Sequence, residues 1–213
     1  MRDCVFFVAD KTMRETFLGF LGRADRSAQL GCGQFDFDPD EDLFFAAGQN
    51  DPGLWKRADE LVRPFHNTHH KVVVVLDCEW DGSPGQASIR DAISHQLLES
   101  GWAADRFAVI AIDPELDEWI WQDSPILENV LRHQGATTLR AILATRNLWP
   151  LGQAKPPEPK NVFNQIRQEN GVKKSSSVFR RIAAEVPIAA CVDPEFKRLV
   201  ATLQTWFPPE VAK

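Results

Sequence analysis

Four short apolar runs along the chain predict buried strands, and helical patterns separate them. The runs have almost no polar alternation, which is typical of strands covered on both faces; they span residues 4–8, 43–47, 72–76 and 107–113. Apolar residues spaced three or four apart predict helices between them, over residues 12–22, 52–62 and 88–98. The regular alternation of strand and helix predicts an α/β fold, with a doubly wound parallel sheet flanked by helices.

The strand signal ends near residue 134, and the remaining pattern is helical. A helix is predicted over residues 136–147, and a Pro-rich connector follows at 149–159. Three further short segments have apolar residues at helical spacing. We therefore predict an α/β domain at 1–133 and a helical C-terminal extension at 134–213 that packs on it.

Two tryptophans belong to a helix that is predicted over residues 115–121. Asp113 stands before Pro114, which predicts that Asp113 caps this helix. Trp119 and Trp121 are two positions apart, so they lie on different sides of a helix. Burial in the core is the favoured environment for both, although one could contact a partner.

The net charge of −6 conceals an asymmetry along the chain. Residues 1–132 carry 12 Lys and Arg against 24 Asp and Glu, whereas residues 133–213 carry 12 against 6. Such a division fits a nucleic-acid-facing tail, an acidic partner, or two parts of one molecule that attract each other. No apolar run approaches the roughly 20 residues that span a bilayer, and the four cysteines lack metal-type spacing. We expect a cytoplasmic protein with no membrane partner.

Acidic residues follow three of the predicted strands. They are Asp10 after the first, Asp77, Glu79 and Asp81 after the valine run, and Asp113, Glu115 and Glu118 after the last. Since the carboxyl ends of parallel strands share one edge, these acids can converge. Carboxylates suit Mg²⁺ or Mn²⁺, which could serve phosphodiester hydrolysis. Helix capping and polar loops remain the alternative explanation.

Basic and histidine residues provide two weaker candidates. Lys173, Lys174, Arg180 and Arg181 flank three serines and suit contacts with nucleic-acid phosphate, with a solvated helix start as the alternative. His66, His69 and His70 could bind a transition metal or relay protons. Without a partner cysteine, a solvated loop is the favoured interpretation of these histidines.

Several of these motifs resemble the Toprim fold of topoisomerases, primases and overcoming-lysogenization-defect nucleases. The shared features are the acidic turn after the first strand and residues 76–81, Leu-Asp-Cys-Glu-Trp-Asp, after a valine-rich strand. More specifically, residues 115–123 resemble the Glu-x-x-Glu-Trp-x-x-x-Asp signature of a Toprim-like family that occurs in prokaryotic defence islands. Segments 157–160, 173–176 and 191–196 are similar to that family's closing helices.

The resemblance implies a Toprim-like Rossmannoid sheet and a Mg²⁺-dependent (or Mn²⁺-dependent) nuclease or phosphoryl-transfer site. It also implies a role in an antiviral, antiphage defence system, with its other subunits and DNA or RNA as partners. The catalytic residues would be Asp10, Asp77 and Glu79, and the metal ligands Asp77, Glu79, Asp81, Glu115 and Glu118.

The chain departs from the standard Toprim pattern at two positions. Asp10 stands where a glutamate is expected, and Glu79 replaces the second aspartate of Asp-x-Asp. These departures motivate an alternative, a catalytically degenerate Toprim-like scaffold subunit that mediates protein–protein assembly of a defence complex through its acidic and basic surfaces. A small-nucleotide binding module at the same sheet edge is a third interpretation.

Overall fold

The computed structural model describes residues 1–209, in which four parallel strands form one sheet. The strand order is β2-β1-β3-β4, and the bounds are β1 (Arg2–Val8), β2 (Leu43–Phe45), β3 (His69–Asp77) and β4 (Phe107–Ile112). In the register of the sheet, Val75 of β3 lies beside Val8 of β1 and Ile110 of β4. All four predicted strands form, and the predicted α/β fold class with a parallel sheet flanked by helices is confirmed.

Ten α-helices connect and follow the strands within the described residues. They are α1 (Lys11–Leu21), α2 (Arg26–Leu30), α3 (Asn50–Val62), α4 (Gln86–Glu99), α5 (Asp117–Ile120), α6 (Pro125–Val130), α7 (Leu139–Thr145), α8 (Pro159–Glu169), α9 (Ser176–Glu185) and α10 (Pro194–Trp206). Two short 3₁₀ turns lie at Arg63–Phe65 and Ile188–Ala190. No helix among residues 1–209 combines the length and the apolar character that a membrane crossing requires.

The valine run forms the centre of the larger hydrophobic core. Val72 through Leu76 are 0% exposed, because β3 is covered on both faces and has a strand on either side. Each fully buried side chain of this kind stabilises the fold by roughly 1.5–3 kcal/mol relative to exposure. The buried strand therefore places Asp77, the last residue of β3, at the carboxyl edge of the sheet.

A second hydrophobic core lies among the helices that follow the sheet. It includes side chains from α6 to α9, such as Leu127, Leu143 and Ile182. The chain passes from the first core to the second at the end of α5, since Trp119 in this helix belongs to the sheet core and Trp121 just after it to the second. Both tryptophans are buried, as the core interpretation predicted.

The C-terminal helices pack on the sheet domain at two places. Helix α9 lies against α1, where Gly19 permits close approach, and α10 inserts Phe196, Leu199 and Leu203 into the sheet core. The proposed boundary between 1–133 and 134–213 remains a prediction, and residues 210–213 of that extension lie outside the described residues.

Ion pairs also join the acidic first part of the chain to the basic last part. Lys155 pairs with Glu118, Lys160 pairs with Glu115, and Arg180 lies 3.9 Å from Glu15. Attraction between two parts of one molecule, one of three explanations for the charge asymmetry, thus operates in this fold.

The predicted helix over residues 115–121, with Asp113 as its cap, is wrong in its bounds. Helix α5 begins only at Asp117 and has four residues, and its N-cap is Leu116. The preceding residues are held by the end of β3 instead, because Cys78 N–H donates to the Pro114 carbonyl (3.1 Å). Glu79 N–H donates to the same carbonyl (3.1 Å), so two hydrogen bonds tie the segment before α5 to the residues that follow β3.

The solvated-loop interpretation of the histidines is wrong for His69. This residue begins β3 and is 3% exposed, and its Nε2 lies 3.1 Å from Asp42 Oδ1. Asp42 is completely buried and also accepts hydrogen bonds from Arg2. His69 therefore belongs to a buried polar network with Asp42 and Arg2 and does not lie in a solvated loop.

Candidate functional site at the carboxyl edge of the sheet

A cleft of about 250 Å³ opens at the carboxyl edge of the sheet. One wall carries carboxylates that follow β1, β3 and β4, namely Asp10, Asp77, Glu115 and Asp117. The other wall belongs to α8, α9 and the loop between them, and it carries Lys160, Asn164, Arg167, Lys174, Ser175 and Ser176. The cleft thus lies between an acidic and a basic surface.

Asp77 is the central carboxyl group of the acidic wall. Its Oδ1 accepts a hydrogen bond from Leu116 N–H at 2.8 Å, which ties β3 to the segment before α5. Burial raises the pKa of Asp77 well above its usual range, and the nearby carboxylates of Asp51 and Asp10 raise it further. The site therefore favours a protonated Asp77 or an added cation.

The two carboxylates next to Asp77 lie at the N-terminal ends of helices. Asp10 caps α1 by accepting from Met13 N–H at 2.8 Å. Asp51, in the first turn of α3, accepts from Asp77 N–H at 2.8 Å. Burial raises the pKa of Asp51, although its hydrogen bond from Asp77 N–H opposes this rise. Asp10 thus combines helix capping with proximity to Asp77, whereas Asp51 is tied to Asp77 by this hydrogen bond.

Asp117 has a pKa close to neutrality. Burial raises the pKa of this half-buried carboxyl to about 7, and repulsion from Glu115 adds to the effect, while Lys160 opposes it. A group that titrates near neutral pH can accept or release a proton under physiological conditions. Asp117 is therefore a candidate for proton transfer in this cleft.

Lys160 at the start of α8 provides the cation nearest to the acidic wall. It forms a hydrogen-bonded ion pair with Glu115, and this bond is the main cause of the raised pKa of Lys160. Glu115 is therefore already neutralised by the protein's own cation.

The structure brings together some of the predicted site residues and separates others. Asp10, Asp77 and Glu115 share the cleft, whereas Glu79 is exposed in an adjoining groove that also includes Glu115. Asp81 is exposed in the loop after β3. Glu118 is buried and pairs with Lys155, outside the cleft lining. The roles assigned to these residues remain predictions.

The four predicted nucleic-acid contacts also occupy different places. Lys174 lines the cleft, and Lys173 next to it is exposed but does not. Arg180 is exposed near Glu15 and lines a separate groove beside α1, and Arg181 is exposed on α9. Only one of the four therefore belongs to the cleft that holds Asp77.

The fit of a divalent cation can be judged from the donors. The carboxylates are hard oxygen donors of the kind that Mg²⁺ and Mn²⁺ prefer, and their mutual repulsion would be relieved by a cation. However, residues 1–209 contain no group of three or more His, Cys, Asp or Glu side chains positioned to hold a metal ion. The donor type therefore suits such an ion, whereas the described carboxylates are not grouped closely enough to form a complete site by themselves.

Several residues that line the cleft or contact Asp77 were not predicted as site residues from the sequence. Asp51 stands in a segment, residues 50–53, that indicated only a turn and helix start. Lys160 stood within a segment similar to the closing helices, but no role was assigned to it. Asp117 lies inside the acidic motif, and no periodicity distinguishes it from Glu115 and Glu118. Arg167 carried no signal, because a lone arginine near a helix end is usually solvated.

Comparison with known proteins gives one informative likeness. No family model matches the sequence, and neither does any curated protein. Among solved structures, the chain is similar to the C-terminal region of the Burkholderia pseudomallei OLD protein, with a TM-score of 0.53 and 14% sequence identity. The match covers 96% of this chain and 98% of that one. At this level of identity the match shows that the two chains share a fold.

Proposed function

We propose that this chain is a component of a bacterial antiviral defence system, and that its cleft is a Mg²⁺-dependent or Mn²⁺-dependent nuclease or phosphoryl-transfer site. One observation carries the proposal. Asp10, Asp77 and Glu115 follow three different parallel strands, yet they line a single cleft at the carboxyl edge. This edge is where open α/β sheets place their ligands.

In this proposal Asp77 is the principal ligand of the ion, and Glu115 and Asp10 stand beside it. A divalent ion at this place would neutralise charge on phosphoryl oxygens and lower the pKa of a bound water. Lys160 then has a role in orienting Glu115, with which it pairs. Asp117, with its pKa of about 7, is the residue that would exchange a proton with the reacting groups.

The defence role and the partners rest on resemblance rather than on the geometry of the cleft. The Glu-Trp signature at residues 115–123 supports the defence setting. The likeness to a region of an OLD protein supports the same relationship at the level of the fold. Other subunits of the system, and DNA or RNA, are the partners that we propose on this basis.

A cleavage assay with a matched pair of variants tests the nuclease proposal. Purified protein is incubated with supercoiled, linear and single-stranded DNA and with RNA, with Mg²⁺, Mn²⁺ or EDTA. Asp77→Asn should reduce cleavage by about 100-fold or more, the scale on which removal of a transition-state-stabilising group acts. The asparagine keeps an oxygen for Leu116 N–H, so the fold should survive. Asp91→Asn, at an exposed residue of α4, is the control and should cleave normally.

Two results of these measurements would contradict the proposal. If no metal supports cleavage of any substrate, and calorimetry detects no Mg²⁺ or Mn²⁺ binding, the catalytic proposal is wrong. Cleavage that survives Asp77→Asn unchanged would contradict the assignment of Asp77.

A specific observation favours the scaffold as a second candidate function. Two of the carboxylates predicted to bind metal, Glu115 and Glu118, are already paired with Lys160 and Lys155. Under the scaffold hypothesis, Asp77→Asn retains antiphage protection in cells. Substitution of exposed charges such as Arg181 would instead abolish both protection and co-purification with the other subunits.

A further inference from the structure

Arg167 is a buried cation that lines the cleft without a counter-charge. Its residue exposure is 8%, and the guanidinium Nη1 donates to the Val172 carbonyl at 2.7 Å. Its Nε is buried and has no hydrogen-bond partner among the described residues. No carboxylate of residues 1–209 forms an ion pair with it, whereas Lys160 and Lys155 both have acidic partners. Because burial of an unpaired charge is costly, an anion bound beside Arg167 would offset part of that cost.

The N-terminus of α9 faces the same part of the cleft. Helix α9 has ten residues, and Ser175 caps it by accepting from Ser177 N–H at 3.2 Å. Ser176 and Lys174 also line the cleft. The N-terminus of a helix carries partial positive charge and free N–H groups, both of which favour anions. A neutral hydroxyl caps α9, so its positive charge is not cancelled by a carboxylate.

Helix α1, in the opposite wall of the cleft, has a negatively charged cap instead of a neutral one. Its N-terminus also reaches the cleft, through Thr12, but the carboxylate of Asp10 caps it. The partial positive charge at the N-terminus of α1 is therefore offset by a carboxylate, whereas that of α9 is not. Of these two helix ends, the α9 end is the one that can accept an anionic ligand.

We propose that Arg167, Lys174 and the first turn of α9 form a phosphate-binding subsite. The proposal deepens the proposed function and rests on it, since the bound group would be a phosphate of the nucleotide substrate. A guanidinium can donate two parallel hydrogen bonds to phosphate oxygens, and Lys174 adds a mobile ammonium. The phosphate would thereby be held across the cleft from Asp77 and Asp10.

The dimensions of the cleft restrict the ligand. Its volume of about 250 Å³ is slightly below the roughly 300–1,000 Å³ of pockets that hold drug-sized molecules. A space of this size cannot enclose more than roughly one nucleotide. The subsite is therefore expected to contact one phosphate of its ligand at a time.

Calorimetry in EDTA tests the subsite separately from metal-dependent cleavage. Inorganic phosphate is titrated into wild type, Lys174→Gln, Arg167→Gln and the control Lys173→Gln. Lys174→Gln should weaken binding about tenfold, as expected for loss of a charge-assisted hydrogen bond. Lys173→Gln removes the same charge one residue away, outside the cleft, and should change affinity less than twofold. Arg167→Gln should abolish binding, provided that circular dichroism confirms its fold.

Two further ligands identify the source of the phosphate. Thymidine monophosphate and a single-stranded oligothymidine are titrated under the same conditions. Equal affinity per site indicates a nucleotide, and much tighter binding of the oligonucleotide indicates a polynucleotide.

The outcomes also separate this proposal from the nuclease proposal. Asp77→Asn should bind phosphate at least as tightly as wild type, because it removes negative charge. Phosphate binding without cleavage would contradict the nuclease and keep the subsite. Absence of phosphate binding, or equal weakening by Lys173→Gln and Lys174→Gln, would overturn the subsite even if the protein cleaves DNA.

Discussion

Asp117 should make the stability of the protein fall as the pH rises, and Asp117→Asn should remove that fall. The pKa of this carboxyl is about 7 in the folded protein, against an ordinary value of 3.8. The folded state therefore binds more protons than the unfolded state between these two pH values. By linkage, the free energy of unfolding decreases across this range. The contribution of Asp117 is complete below pH 3.8 and is lost as the pH passes 7.

The size of the effect follows from the same two values. A difference of about three pKa units corresponds to about 4 kcal/mol, at 1.36 kcal/mol per unit. This is an upper limit, because Asp117 is only half-buried and solvent reduces the penalty of its charge. Asparagine is uncharged at every pH. The variant should therefore gain up to about 4 kcal/mol over wild type between pH 4 and pH 8.

Urea unfolding followed by circular dichroism at pH 4, 6 and 8 measures this difference. Subtraction of the two curves isolates Asp117 from the other titrating groups. Asp91→Asn, an exposed change of the same chemistry, should leave the pH dependence of stability unaltered. Parallel curves for Asp117→Asn and wild type would refute the argument, since they would show that the carboxyl titrates alike in both states.

Two other substitutions test the packing of the fold. A Cβ on Gly19 would lie 2.5 Å from a backbone oxygen of α9, so Gly19→Ala should lower the free energy of unfolding by about 1–3 kcal/mol. Thermal unfolding measures this loss. Gly135→Ala is the control, because a Cβ there would have no contact nearer than 3.7 Å. His69→Leu deprives buried Asp42 of a partner and should cost about 1–3 kcal/mol in urea titrations. His70→Leu, at the exposed next residue, should cost much less, and similar losses for both would contradict the buried network.

The fold could be predicted largely because its strands are buried on both faces. Such strands appear in the sequence as uninterrupted apolar runs, as the four consecutive valines of β3 illustrate. The helical extension was likewise visible from apolar spacing. The start of α5 could not be predicted, because Leu116 N–H donates to Asp77, a residue 39 positions earlier. Hydrogen bonds over such distances leave no local pattern.

The candidate site was predictable only in part, for a related reason. Asp10, Asp77 and Glu115 could be proposed since strand ends on one edge must be neighbours. The residues of the opposite wall, including Lys160 and Arg167, reach the cleft through the packing of α8. Nothing in the spacing of α8 indicates which of its polar residues faces the sheet edge. Similarly, Glu118 is turned toward Lys155 by the short α5, which sequence periodicity did not reveal.

The return of α10 to the sheet core has a consequence for limited proteolysis. Residues that follow the Pro-rich connector contribute Leu199 and Leu203 to the same core as β3. A single cut near exposed Leu151 would therefore leave two fragments that interlock. The nicked protein should elute from gel filtration as one species and separate only in denaturant. Complementation of two separately expressed fragments would be a natural way to reassemble the cleft.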